Sequence, residues 1–177
     1  MKYPGNFKKN YTKNISYANR GMDLENIINE ANTYYLNNDL AVIYKISTPI
    51  TVLNVSNNKI NSGFYKEKSS LDYAGIYKGK HVEFDAKETK LSYLPLNNIH
   101  EHQLLHMKRI LHQGGITFLI ICIKNEYYLL EGKLIFNFID TTDRKSIPYE
   151  YIKNNGKLIK YNYLKGLDYL ELLEELK

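Results

Sequence analysis

Cysteine is almost absent from this chain of 177 residues: Cys122 is the only one. A lone cysteine excludes a disulfide framework and a thiolate zinc cluster, and its place in the apolar run Ile116 to Ile123 marks it as a small core residue. A reducing cytoplasm is the expected setting. No apolar stretch follows the early lysines, and no run approaches the roughly twenty residues needed to span a bilayer, so a soluble, unexported protein is expected. Internal repeats are missing too, and nothing marks a second domain within residues 21–177.

Acid is missing where base is plentiful. The first 22 residues hold Lys2, Lys8, Lys9, Lys13 and Arg20 without one Asp or Glu, and Tyr3, Phe7, Tyr11 and Tyr17 are interleaved among them. Residues 1–20 therefore read as a flexible basic arm that neutralises phosphates and stacks on exposed bases, the alternative being a disordered polar tail. Over the whole chain 24 basic residues against 19 acidic ones leave a formal charge of +5, a modest excess that favours phosphate partners.

The chemistry gathers between Asp72 and Lys87. From Val82 onward the side chains alternate, with Val82, Phe84 and Ala86 on one side of a strand and Glu83, Asp85 and Lys87 on the other. The Tyr77-Lys78-Gly79-Lys80 segment turns a preceding strand, Tyr73 to Ile76, back beside it, which brings Asp72 close to Asp85. Two carboxylates can hold a Mg2+ that keeps several waters and takes a phosphate oxygen. A lysine two residues away can polarise the attacking water and offset charge growing on the phosphate. Asp72, Asp85 and Lys87 thus read as a metal-dependent nuclease centre. The competing reading is a solvated strand face.

Around this centre the spacing predicts an amphipathic helix through Leu24, Ile27, Ile28, Ala31, Tyr34 and Tyr35, with Glu25 complementing its dipole or serving as an auxiliary acid. Strands are expected at about Leu40 to Ile46 and Ile50 to Val55, meeting at Pro49. A second helix is expected from about Asn98 to Gln113, with Leu104, Met107 and Leu111 turned inward, Gln103 beside them, and Gly114-Gly115 as its end. The histidines at 100, 102, 106 and 112 lack a zinc signature, and phosphate contact by His102, Lys108 and Arg109 is the better reading. Strands at Ile116 to Ile123 and Tyr127 to Leu130 extend the sheet, and Leu167 to Leu176 reads as a short amphipathic helix. This order makes an α/β layer arrangement.

Asn19-Arg20-Gly21-Met22, Lys45-x-x-Thr48-Pro49, Asp72-Tyr73-x-Gly75-Ile76-Tyr77-Lys78-Gly79, Ala86-Lys87-Glu88-Thr89-Lys90 and His100-x-His102-Gln103-x-x-His106-Met107 occur in the order in which they stand in RecU-type Holliday-junction resolvases, and the chain resembles that family from about Arg20 to its end. The resemblance implies a restriction-endonuclease-like mixed sheet flanked by helices. It implies metal binding through Ser70, Asp72, Asp85 and Gln103, with Lys87 stabilising the transition state and Mg2+ as cofactor, Mn2+ being a possible substitute. Asp85 departs from the family's usual Glu, and Ser70 from its common Thr. A protruding stalk is implied at about 56–70, whose Lys59, Lys66 and Lys68 would join Arg20, Lys108 and Arg109 in contacting DNA. Two symmetrical nicks in a four-way junction require two centres, hence a homodimer, and a recombinase and a branch-migration helicase are the protein partners implied. Another kind of endonuclease, or a junction binder that does not cut, are the competing functions.

Overall fold

Apolar side chains at 24, 27, 28, 31 and 35 close one face of a helix, and burying that face needs a sheet to lie on. The computed structural model describes residues 23–57, 59–65 and 71–176. In chain order, α1 (Leu24–Asn37) leads into β1 (Val42–Lys45), followed by the hairpin of β2 (Ile50–Ser56) and β3 (Lys59–Tyr65). Next come β4 (Tyr73–Tyr77), β5 (Lys80–Thr89), the short β6 (Tyr93–Pro95) and α2 (Glu101–His112). The chain continues through β7 (Ile116–Ile123), β8 (Glu126–Glu131), α3 (Gly132–Thr141), β9 (Ser146–Pro148), α4 (Tyr149–Asn155) and β10 (Lys157–Ile159). A last small ladder pairs β11 (Tyr161–Asn162) with β12 (Gly166–Leu167).

Six strands form one mixed sheet in the order β1-β4-β5-β7-β8-β10. Only β5 and β7 run parallel, and parallel neighbours need a crossover, which α2 supplies. The result is the expected α/β class, a mixed sheet with helices on both faces. On one face α1 and the C-terminal segment bury Ile27, Ile28, Phe84, Phe118 and Tyr169. There the rings of Tyr73, Phe84 and Phe118 stack with centroids 4.8 and 4.6 Å apart, and Tyr169 meets Phe84 edge-on. On the other face the sheet buries Met107, Ile110, Leu119, Ile121, Ile135 and Phe138 beneath α2 and α3.

The β4–β5 hairpin forms as the sequence predicts, with Tyr73 opposite Phe84 and Tyr77 opposite Lys80. Its two-residue turn places Lys78 at φ 47° and Gly79 at φ 77°, the left-handed pair that matches strand twist. Gly75 answers to a different constraint: a Cβ there would stand 2.1 Å from the Val42 carbonyl oxygen, so β1 and β4 approach this closely only with glycine between them.

The strand expected at 50–55 forms as β2, which pairs with β3 in a two-stranded sheet of its own, and every β2 residue but Thr51 is exposed. Two expectations are corrected. The inward side of α2 is Gln103, Met107 and Ile110, while Leu104 and Leu111 are only half-buried, because polar contacts to β5 turn the helix. The C-terminal stretch is not an α-helix: Gly166 and Leu167 pair as β12 with β11, Tyr169 packs against the Phe84 and Phe118 rings, and Glu171–Glu175 form a 3-10 turn. The expected basic arm, residues 1–20, and Arg20, Lys66, Lys68 and Ser70 lie outside the described residues.

Candidate active site

Asp85 is fully buried in the middle of β5, facing α2. A buried carboxylate is costly unless its lone pairs are used, and here every oxygen has a donor. Lys87 Nζ lies 2.7 Å from Oδ2, Gln103 Nε2 donates to the same oxygen at 2.6 Å, and the Ala86 amide donates to Oδ1 at 3.1 Å. Lys87 reaches Asp85 because residues two apart share a strand face. Gln103 comes from the N3 position of α2, where its Oε1 also accepts from the His100 amide at 3.0 Å. With the oxygen committed to the helix start, the amide nitrogen is left for the carboxylate.

Asp72 arrives from the other side. The β4–β5 register sets the residue before Tyr73 opposite Asp85, and the Ile46 amide donates to the Asp72 carbonyl at 2.7 Å, tying this corner to the end of β1. The Asp72 carboxylate shares the Ala86 amide with Asp85, accepting from it at 3.4 Å. Burial pushes the Asp72 carboxyl up to about 7, helped by its hydrogen bond to Asp85 and the charge of Asp85, while the Ala86 amide and Lys87 pull the other way. A half-buried carboxylate beside a second, fully buried one is short of positive charge. This donor set suits a hard divalent cation such as Mg2+. Among the described residues no three His, Cys, Asp or Glu side chains are placed together to hold a metal.

Asp72, Asp85 and Lys87 thus come together as their spacing predicts, and Gln103, which the family resemblance alone marked as a site residue, joins them. Lys59 is exposed near the tip of the β2–β3 hairpin, and Lys108 and Arg109 are exposed on the outer side of α2. The half-buried His102 stacks on His100 with ring centroids 5.4 Å apart. Glu25 forms an ion pair with Lys45, and the Lys45 ammonium is held above its ordinary range first by that contact and also by the charges of Asp72 and Asp23. Lys45, to which the sequence assigns no role, lies within the field of the site. The sequence likewise places Glu83 only on a side of the strand. In the fold it is a buried acid held by two histidines, His106 and His81. The signals that point to it are the shared strand face with Asp85 and the three-residue spacing of Gln103 and His106 on α2.

The family described as Recombination protein U matches residues 19–175. The chain belongs to the RecU family. Its curated relatives include the Holliday junction resolvase RecU of Oceanobacillus iheyensis, 40% identical over 99% of this chain and 99% of that protein. The protein of the same name from Bacillus subtilis is 42% identical over 91% of this chain and 82% of its own length, and that of Staphylococcus aureus 42% over 92% and 84%. Among solved structures, Archaeoglobus fulgidus Hjc, described as a Holliday junction resolvase from an archaeal hyperthermophile, superposes with a TM-score of 0.45 at 10% identity, over 76% of this chain and 94% of that one. The RecU match takes in Arg20, Ser70 and both ends of the stalk hairpin as well as the four residues gathered at Asp85.

Proposed function

We propose that this RecU-family protein is a Mg2+-dependent endonuclease that resolves Holliday junctions by two symmetrical nicks during recombination and repair. The observation that carries the reading is the pair of Asp72 and Asp85 sharing the Ala86 amide, with the Lys87 ammonium 2.7 Å from Asp85, in a chain 40% identical to proteins named for that activity. When bound between the carboxylates, a divalent cation supplies Lewis acidity and an activated water. The chain's own groups do the rest. Asp85 is kept in one orientation by Gln103 and the Ala86 amide. Lys87 offsets charge on the phosphate oxygens as the attacking oxygen closes in line. Shortening the family's Glu to Asp at 85 leaves these contacts made, at 2.6 and 2.7 Å, so the departure does not favour a junction binder that cannot cut.

Two such centres related by a twofold axis would cut paired strands, so the active form is a homodimer acting on four-way DNA, with a recombinase and a branch-migration helicase as its natural company. Arg20, Lys59, Lys66, Lys68, Lys108 and Arg109 would meet phosphates. No helix among the described residues is long and apolar enough to cross a membrane. Work on DNA would place the protein in the cytoplasm. The test is the purified protein on a mobile synthetic junction and on linear duplex of the same sequence, with Mg2+, Mn2+ or chelator. Paired nicks with 5′-phosphate ends, on the junction alone and only with metal, are expected; equal cutting of linear duplex, or binding without cutting, rejects the proposal.

The hairpin gives a separate prediction. Thr51 pairs with Phe64, and Ile50, Val52, Leu53, Val55, Ile60 and Phe64 are all exposed, so the projection is clothed in apolar side chains that add nothing to the core. Replacing residues 52–63 with a two-glycine link should leave the melting temperature within a few degrees while junction affinity falls tenfold or more. Unchanged junction binding in a gel-shift titration would remove the stalk from the mechanism.

A further inference from the structure

Glu83 is a third acid on the strand face that carries Asp85, and it is not free to join the metal. Its side chain is 7% exposed, Oε1 lies 2.8 Å from His106 Nε2 and Oε2 lies 3.0 Å from His81 Nε2. His106 stands three residues after Gln103 on α2, as Glu83 stands two before Asp85 on β5. One helix step of this kind spans about 4.5 Å along the axis and one strand step about 6.7 Å, close enough for flexible side chains to make two rungs between the same two elements. Gln103 to Asp85 is one rung, and His106 to Glu83 the other.

The second rung has work to do because the apolar side of α2 is broad. Leu104, Met107, Ile110 and Leu111 are all apolar, and the face centred on Leu104, Met107 and Leu111 is roughly 70° around the helix from the one that is buried, at 100° per residue. Hydrophobic burial hardly distinguishes the two. The rotation that puts Leu104 and Leu111 inward would carry Gln103 away from Asp85. A buried carboxylate held by two imidazoles is a poor way to gain stability, because an apolar pair of similar volume does as well or better, but it fixes one rotation.

We propose that Glu83 and His106 are positioning residues for the metal site: their contact sets the rotation of α2 on the sheet, so that Gln103 meets Asp85 and holds it in the orientation that takes the cation. His81 keeps the far oxygen of Glu83 engaged, which leaves Asp72 and Asp85 as the metal's two carboxylates. This inference rests on the nuclease reading above for its consequence, not for its geometry.

The test separates the two. In the metal-free protein, the side-chain amide of Gln103, assigned by NMR, should be displaced and protected by its bond to Asp85. In Glu83→Leu/His106→Leu that signature should be lost and the Mg2+ concentration for half-maximal cleavage should rise tenfold or more, while junction affinity and melting temperature stay at wild-type values. A purely structural rung would cost melting temperature and leave the metal requirement alone. His106→Gln, which still reaches Glu83 with a donor, should restore the wild-type pattern, and the shorter His106→Asn should not. A Gln103 signal and Mg2+ requirement unchanged in the double variant, or Asn and Gln behaving alike at 106, overturns the proposal. Should the double variant fail to fold, the Asn and Gln pair decides it. A wild-type protein that cuts no junction sinks the nuclease reading, and the Gln103 signal then still tests the rung.

Discussion

Lys87→Ala should yield a protein that binds four-way junctions as tightly as the wild type and cuts them about 10²–10³-fold more slowly, the loss seen when one preorganised group facing developing charge is removed. Lys87 is 16% exposed at the side chain, so its ammonium acts where water screens it little. Its Nζ is 2.7 Å from the Asp85 carboxylate, on the side of β5 that the substrate phosphate must approach if Asp85 binds the metal. The strand itself does not depend on it: Val82, Phe84 and Ala86 pack on the opposite face. Binding is spread over many basic groups and should survive. Lys87→Arg should recover little, because a planar guanidinium does not place a compact charge at the same point. Single-turnover cleavage at saturating protein measures the chemistry, and a gel shift in Ca2+ measures binding. A wild-type rate in Lys87→Ala would show that the lysine only neutralises a buried acid.

What could be read in advance divides along a physical line. Local rules reach the β4–β5 hairpin, because Lys78-Gly79 suits a left-handed turn and the alternation of Val82, Phe84 and Ala86 sets the face. They reach α1 through its spacing, and they reach Asp72, Asp85 and Lys87 because hairpin register alone brings these together. Gln103 needed the family resemblance, since its partner is 18 residues away and on another element. Glu83 and His106 are 23 apart and meet only once α2 has docked. The β2–β3 pairing is not legible locally: Ile50 to Val55 is apolar enough to look like a core strand, and nothing nearby says that β3 is its ladder partner. The C-terminal helix failed for a tertiary reason: an extended Leu167 and a 3-10 turn drive Tyr169 into the Phe84 and Phe118 rings, where an α-helix starting at Leu167 would not hold it. Helix α3 carries a local signal as well, in the spacing of Leu134, Ile135, Phe138 and Ile139.

Asp72→Asn should abolish cleavage and yet raise the stability of the metal-free protein at pH 8. The Asp72 carboxyl titrates near 7 in the fold, above the value of about 3.9 for an unfolded aspartate. Between these values the folded state holds more protons than the unfolded one, so stability falls as pH rises from about 4 through 7 and the full penalty is present above. Burial of the carboxyl is the first cause, and the hydrogen bond to Asp85 and its negative charge add to it. Asparagine keeps the shape and an acceptor for the Ala86 amide and carries no charge, so the variant should show a flatter melting temperature between pH 5 and 8 and cross above the wild type toward the alkaline end. Mg2+ should reverse that order by binding the charged pair: it should stabilise the wild type more at pH 8 than at pH 6, releasing a proton as it binds, and should barely affect the variant. Calorimetric melts at several pH values, with and without Mg2+, check each part. A variant that Mg2+ stabilises as strongly as the wild type would place the cation elsewhere. A wild-type melting temperature that does not fall between pH 5 and 8 would mean that the two carboxylates carry no shared strain for a metal to relieve.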